Sequence, residues 1–151
     1  MDKINNFLLH VGFYGPILLI ILLIYNFYNK NINKRTIIII IIFSFINITI
    51  NLLLKNSLKQ SRPPKSVSIN KYDIQKYHSK YGMPSGHAQN VSFYLLIILV
   101  IIKNRLIMLI STLISFLTLF QRVYHKKHYI DQVIVGFIIG IIIGRFCLLM
   151  I

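Results

Sequence analysis

The chain has 151 residues, is 56% hydrophobic and carries a net charge of +14, with Asp2, Asp73 and Asp131 as its three acidic residues. Its mean hydropathy of +0.68 is too high for a soluble domain of this length. The charge lies between apolar runs, which points to anionic headgroups or an anionic substrate and away from nucleic acid. Three carboxylates are also too few for a site built on Mg²⁺ or Ca²⁺, which take oxygen ligands. The one cysteine, Cys147, sits in an apolar run and forms no internal disulfide.

Residues 1–11 are short and polar. Residues 12–28 form a first apolar run with no small-residue cleavage site after it, so it reads as a retained membrane helix and not as a signal peptide. Residues 36–54 form a second run rich in isoleucine, long enough to span a bilayer. Asn47, Asn51 and Lys55 recur every four residues and share one helix face. Polar groups are costly against lipid, so that face should look into the bundle, where the asparagines would bond between helices.

The longest loop, residues 56–83, mixes Lys59, Arg62 and Lys65 with Tyr72, Tyr77 and Tyr81, and Pro63-Pro64 blocks helix continuation. Residues 66–81 fit either an amphipathic piece on the membrane surface or a solvated loop. Then comes Tyr81–Gln89, reading Tyr-Gly-Met-Pro-Ser-Gly-His-Ala-Gln. Pro84 suits the first turn of a helix, whose free N–H groups suit an anion. Ser85 adds a hydroxyl, Gly86 admits a ligand to the backbone, and His87 titrates near neutrality.

Three more spans follow at 84–102, 106–123 and 133–151, with a polar segment at 121–132. The last span carries Gly136, Gly140 and Gly144 on one face, a spacing for close helix packing within the chain or, less readily, in a homodimer. His10, His78 and His125 read as non-catalytic edge or surface residues, Tyr124 and Tyr129 as interface residues, and Arg145 as a snorkelling cation.

The expected fold is therefore all-α: a single domain, 1–151, forming a polytopic membrane helix bundle of about five transmembrane helices. Alternating spans bring the segments 55–87 and 121–132 to one membrane face. Lys55, Arg62, Arg122 and a helix N-terminus match a phosphate dianion. Two histidines, His87 and His128, supply an acid and a nucleophile without a metal. That set is complete for phosphoryl transfer, which needs positioning and charge stabilisation above all.

These residues resemble the type 2 phosphatidic acid phosphatase superfamily of integral-membrane lipid phosphatases. Its first motif, Lys, six residues, Arg-Pro, matches Lys55 and Arg62-Pro63. Its second, Pro-Ser-Gly-His, matches Pro84–His87. Its third, Ser-Arg, five residues, His, three residues, Asp, matches Arg122 and His128, with Gln121 for the Ser and Gln132 for the Asp. The resemblance covers residues 55–136. It implies a nucleophilic His128, a general acid at His87, phosphate held by Lys55, Arg62, Ser85, Gly86 and Arg122, and no cofactor or metal. Members usually have six spans, one more than here. Gln132 aligns with the family's acid, and Asp131 lies one residue early. Either reaches His128 from a helix that includes it, and alignment favours Gln132.

Gly82-Met83-Pro84-Ser85, Gln89 and Gln132 look like the dolichyl-pyrophosphate phosphatase branch, which implies a polyprenyl diphosphate substrate. Phosphatidic acid and diacylglycerol pyrophosphate are the alternatives within the family. A non-catalytic phospholipid-binding relative is the alternative of another class, and a small anion channel a third. Residence would be in the endoplasmic reticulum for a eukaryotic or virus-encoded protein, or in the plasma membrane for a bacterial one.

Overall fold

The computed structural model describes residues 3–30, 32–64 and 81–151. Most of the 66–81 stretch, with Tyr72, Tyr77 and His78, lies outside the described residues. The described residues form five helices: α1 (Lys3–Lys30), α2 (Lys34–Leu58), α3 (Gly86–Ile101), α4 (Arg105–Tyr124) and α5 (Ile130–Met150). Four of them are long and apolar enough to cross a membrane: α1, α2, α4 and α5. Their outward faces carry isoleucine, leucine and phenylalanine, among them Ile42, Phe45, Leu113, Phe116 and Ile138. A surface of that kind suits lipid tails and not water.

The helix ends follow local rules. Asn33 caps α2 by accepting from Arg35 N at 3.0 Å, and Asn104 caps α4 by accepting from Leu106 N and Ile107 N at 3.0 and 3.2 Å. Three boundaries differ from the sequence reading. α1 begins at Lys3, a turn and more before the apolar run, and holds Pro16 in its interior. α2 runs one turn past Lys55. α3 starts at Gly86, because Ser85 takes the N-cap and leaves Pro84 outside the helix.

With 16 residues, α3 is shorter than the roughly 20 residues a spanning helix needs. It is also the helix the others surround, packing against α1, α2, α4 and α5. Val91, Phe93, Ile97 and Ile98 on α3 are fully buried. Its largest contact is with α5, and the glycines explain it. A Cβ at Gly140 would overlap Gln89 O and Ser92 Oγ, and one at Gly136 would come within 2.5 Å of Ser85 O. Gly144 lies against Leu96. The glycine face is therefore covered by α3 of the same chain, which corrects the homodimer reading: no second copy reaches Gly136, Gly140 or Gly144.

The polar face of α2 does look inward. Asn47, Asn51 and Lys55 are buried. Asn47 Nδ2 donates to Asn90 Oδ1 at 2.7 Å, and Asn51 Nδ2 donates to Gln89 Oε1 at 2.7 Å. Gln89 Nε2 returns two bonds, to Asn47 O at 2.7 Å and Asn47 Oδ1 at 2.9 Å. This ladder fixes the depth of α2 against α3, and so the depth of Lys55.

Candidate active site

Three segments meet at one end of the bundle and are tied by the backbone. Gly82 N donates to Gln60 O at 2.8 Å, and Ser85 N donates to Gln132 O at 2.9 Å. Lys55 Nζ donates to Pro84 O at 2.7 Å. The turn after α4 folds back over its own last carbonyls. His125 N bonds Gln121 O, and Lys127 N and His128 N both bond Arg122 O at 3.0 Å. Lys126 takes the left-handed conformation this turn requires, with φ 55°. The five residues between Arg122 and His128 thus form a tight turn that places His128 beside the arginine.

His128 is 3% exposed. Its Nδ1 lies 3.1 Å from Gln132 Oε1. A carbonyl oxygen only accepts, so Nδ1 carries the proton and Nε2 keeps its lone pair. Arg62 Nη1 lies 3.3 Å from that Nε2. Gln132 is itself held. Its Oε1 also accepts from Tyr129 N at 3.3 Å, and its Nε2 donates to Ser61 O at 2.7 Å and Gln60 Oε1 at 3.0 Å. Gly82 makes room, because a Cβ there would meet the Gln132 amide. Asp131 is exposed and turned elsewhere, its Oδ2 accepting from Gln60 Nε2 at 2.8 Å.

The electrostatics are one-sided. Burial first, then the charges of Arg62, Arg122 and Lys55, hold the His128 imidazole well below the ordinary histidine range, and the Gln132 bond opposes them. The ring is neutral at neutral pH. An open cleft of about 720 Å³ reaches it, lined by Gln60, Pro63, Pro64, Lys126 and His128 among others.

The remaining site residues are placed less directly. Ser85 Oγ accepts from Ala88 N at 3.5 Å as the α3 cap, and Gly86 backs onto Asn51. Arg122 Nη2 donates to Gly12 O at 3.2 Å, and His87 Nε2 lies 3.1 Å from Phe13 O, so both side chains lean on α1. His125, expected at the surface, is buried at the α4 C-cap beside Tyr124. Sequence reasoning missed Gln60, Ser61 and Gly82, which hold Gln132, and Gly12 and Phe13, which touch Arg122 and His87. Gln60 and Ser61 fall in the spacer of the first motif, where neither charge nor periodicity marks them.

A buried neutral histidine ringed by three cations, at the membrane-facing end of a helix bundle, defines an integral-membrane phosphoryl-transfer enzyme. The sequence profile of the PAP2 superfamily matches residues 35–151, and the chain belongs to that superfamily and is a phosphatase of its class. No curated protein matches it in sequence. Two solved structures are similar. The PAP2 type phosphatidylglycerolphosphate phosphatase from Bacillus subtilis superposes with a TM-score of 0.73 at 19% identity, covering 97% of this chain and 76% of that one. LpxE of Aquifex aeolicus superposes with a TM-score of 0.66 at 25% identity, covering 98% and 87%.

Proposed function

We propose that the protein is a metal-independent lipid phosphatase working through a phosphohistidine at His128. The observation that carries this is the Gln132–His128–Arg62 line, in which Nδ1 is occupied, Nε2 is unprotonated, and a guanidinium stands where phosphoryl oxygens would lie. Nε2 attacks phosphorus, the N–P bond forms, and the bond to the leaving oxygen breaks. His87 gives that oxygen its proton. Water then attacks phosphorus, His87 takes a proton from it, and the N–P bond breaks to release inorganic phosphate. Lys55, Arg62, Arg122 and the backbone N–H groups at Ser85–Gly86 would hold the equatorial oxygens, where charge builds up. Gln132 keeps the tautomer, and Asp131 takes no part.

The finer reading is a polyprenyl diphosphate of the dolichyl type, with phosphatidic acid or diacylglycerol pyrophosphate as the alternative. Met83 and Gln132 support the first. Gln89 does not bear on it, because its amide is used by Asn47 and Asn51. The test is phosphate release in excess chelator from dolichyl diphosphate, phosphatidic acid and diacylglycerol pyrophosphate. Turnover that His128→Ala abolishes in a folded protein is the expected result. No release from any of the three would favour a phospholipid-binding relative, and turnover unaffected by His128→Ala would overturn the mechanism.

A further inference from the structure

Helix α1 lies before the part of the chain that the superfamily profile covers. It nonetheless touches two of the site groups, and it does so at one turn. Gly12 O accepts from Arg122 Nη2, and Phe13 O faces His87 Nε2. The helix carries Pro16 four residues after Gly12. In an α-helix the N–H of residue 16 bonds the carbonyl of residue 12. Proline has no N–H, so Gly12 O lacks its helical partner and is available to a side chain from another helix. A carbonyl has two lone pairs, so Phe13 O serves His87 beside any helical bond it makes.

The approach is close. Gly12 packs on the Gln121 side chain and Gly15 on Thr118, and a Cβ at either position would overlap them. Phe13 also sets its ring 5.8 Å from the His87 ring. The sequence Gly12-Phe13-Tyr14-Gly15-Pro16 therefore combines two glycines that let α1 reach α4 with a proline that leaves a carbonyl open at the point of contact.

We propose that Gly12, Phe13 and Pro16 are positioning residues of the phosphate site: Pro16 withholds an N–H from Gly12 O, which then orients Arg122, while Phe13 O orients His87. This rests on the phosphatase reading for what Arg122 and His87 do. It does not depend on that reading for the contact itself.

The experiment compares Pro16→Ala with a protein carrying lactic acid at position 16. The first restores the N–H, and the second has the alanine methyl group but no N–H. Both are assayed by kcat and KM on a lipid phosphate in excess chelator, and by orthovanadate binding. Pro16→Ala should lower kcat/KM and weaken orthovanadate roughly tenfold, as loss of one hydrogen bond to a charged group does. Its thermal stability should hold or rise, since alanine suits a helix interior better than proline. The lactic acid protein should behave like the wild type. Unchanged kinetics and binding in Pro16→Ala would overturn the proposal. So would a folded lactic acid protein that loses affinity and rate, and that protein decides the matter even where Pro16→Ala does not fold. Wild-type protein that binds orthovanadate but releases no phosphate, with Pro16→Ala weakening the binding, would sink the phosphatase reading and leave the positioning role standing.

Discussion

Replacing Gln132 with alanine separates an orienting residue from a neighbouring charge. The Gln132 side chain makes four hydrogen bonds: to His128 Nδ1 at 3.1 Å, Tyr129 N at 3.3 Å, Ser61 O at 2.7 Å and Gln60 Oε1 at 3.0 Å. At roughly 0.5–1.5 kcal/mol each, and with overlapping geometry, their joint loss costs about 3 kcal/mol of stability. The catalytic effect has a different origin. Losing the acceptor at Nδ1 removes about 1.4 kcal/mol of tautomer bias, a factor of about ten in the reactive form. Loosening the ring from its line towards phosphorus costs roughly another factor of ten. The expected fall in kcat is on the order of a hundredfold, with KM little changed because the three cations stay. The assay is phosphate release from a lipid substrate in excess chelator, with thermal stability measured in parallel. Asp131→Asn is the matched control. It keeps an oxygen acceptor for Gln60 Nε2 and should retain turnover within about twofold, since an exposed hydrogen bond of this kind contributes little. Near-normal turnover in Gln132→Ala together with loss in Asp131→Asn would refute the assignment.

Three further outcomes follow from the same contacts. Because burial and then Arg62, Arg122 and Lys55 depress the His128 pKa, the acid limb of kcat/KM should lie below the ordinary histidine range, and Lys55→Gln should move it upward, read from pH–rate profiles. The same shift makes His128 cost stability in acid: unfolded, the ring binds a proton below about pH 6.5, so its contribution is present above that pH and is lost as pH falls towards the folded value. Gly140→Ala should destabilise by about 1–3 kcal/mol in thermal unfolding, because the methyl group would press on Gln89 O of the α3 backbone. Gly144→Ala should cost far less, since its nearest neighbour is the end of a flexible leucine, Leu96 Cδ2 at 3.1 Å.

The number of spans and the shared face of the three motifs could be read from the sequence because each depends on local pattern. Apolar runs set the helices, and alternation of direction brought Lys55, Pro84, Arg122 and His128 to one side. The four-residue spacing of Asn47, Asn51 and Lys55 likewise pointed that face inward, and the described contacts fill it. The N-terminus of α3 was displaced by two residues because proline and serine both favour helix starts, and only packing decides which takes the cap. The glycine spacing of α5 announced a close helix neighbour but could not name it, since α3 and a second copy present the same pattern to one helix.

Side-chain choices between adjacent residues needed the tertiary structure. Gln132 and Asp131 stand one residue apart, and at i+4 and i+3 from His128 either is within reach on a helix. The α5 start at Ile130 turns Gln132 inward, onto the ring and Ser61, and leaves Asp131 in the open. The role of α1 was hidden for the same reason. Gly12 and Pro16 lie about 110 residues from Arg122, and nothing in their own run marks a partner. Hydrophobic spacing and motif order act along the chain and determined the bundle and its phosphate-facing end. Which carbonyl each cation and each imidazole meets depends on helix rotation and depth, and those exist only once all the helices are packed.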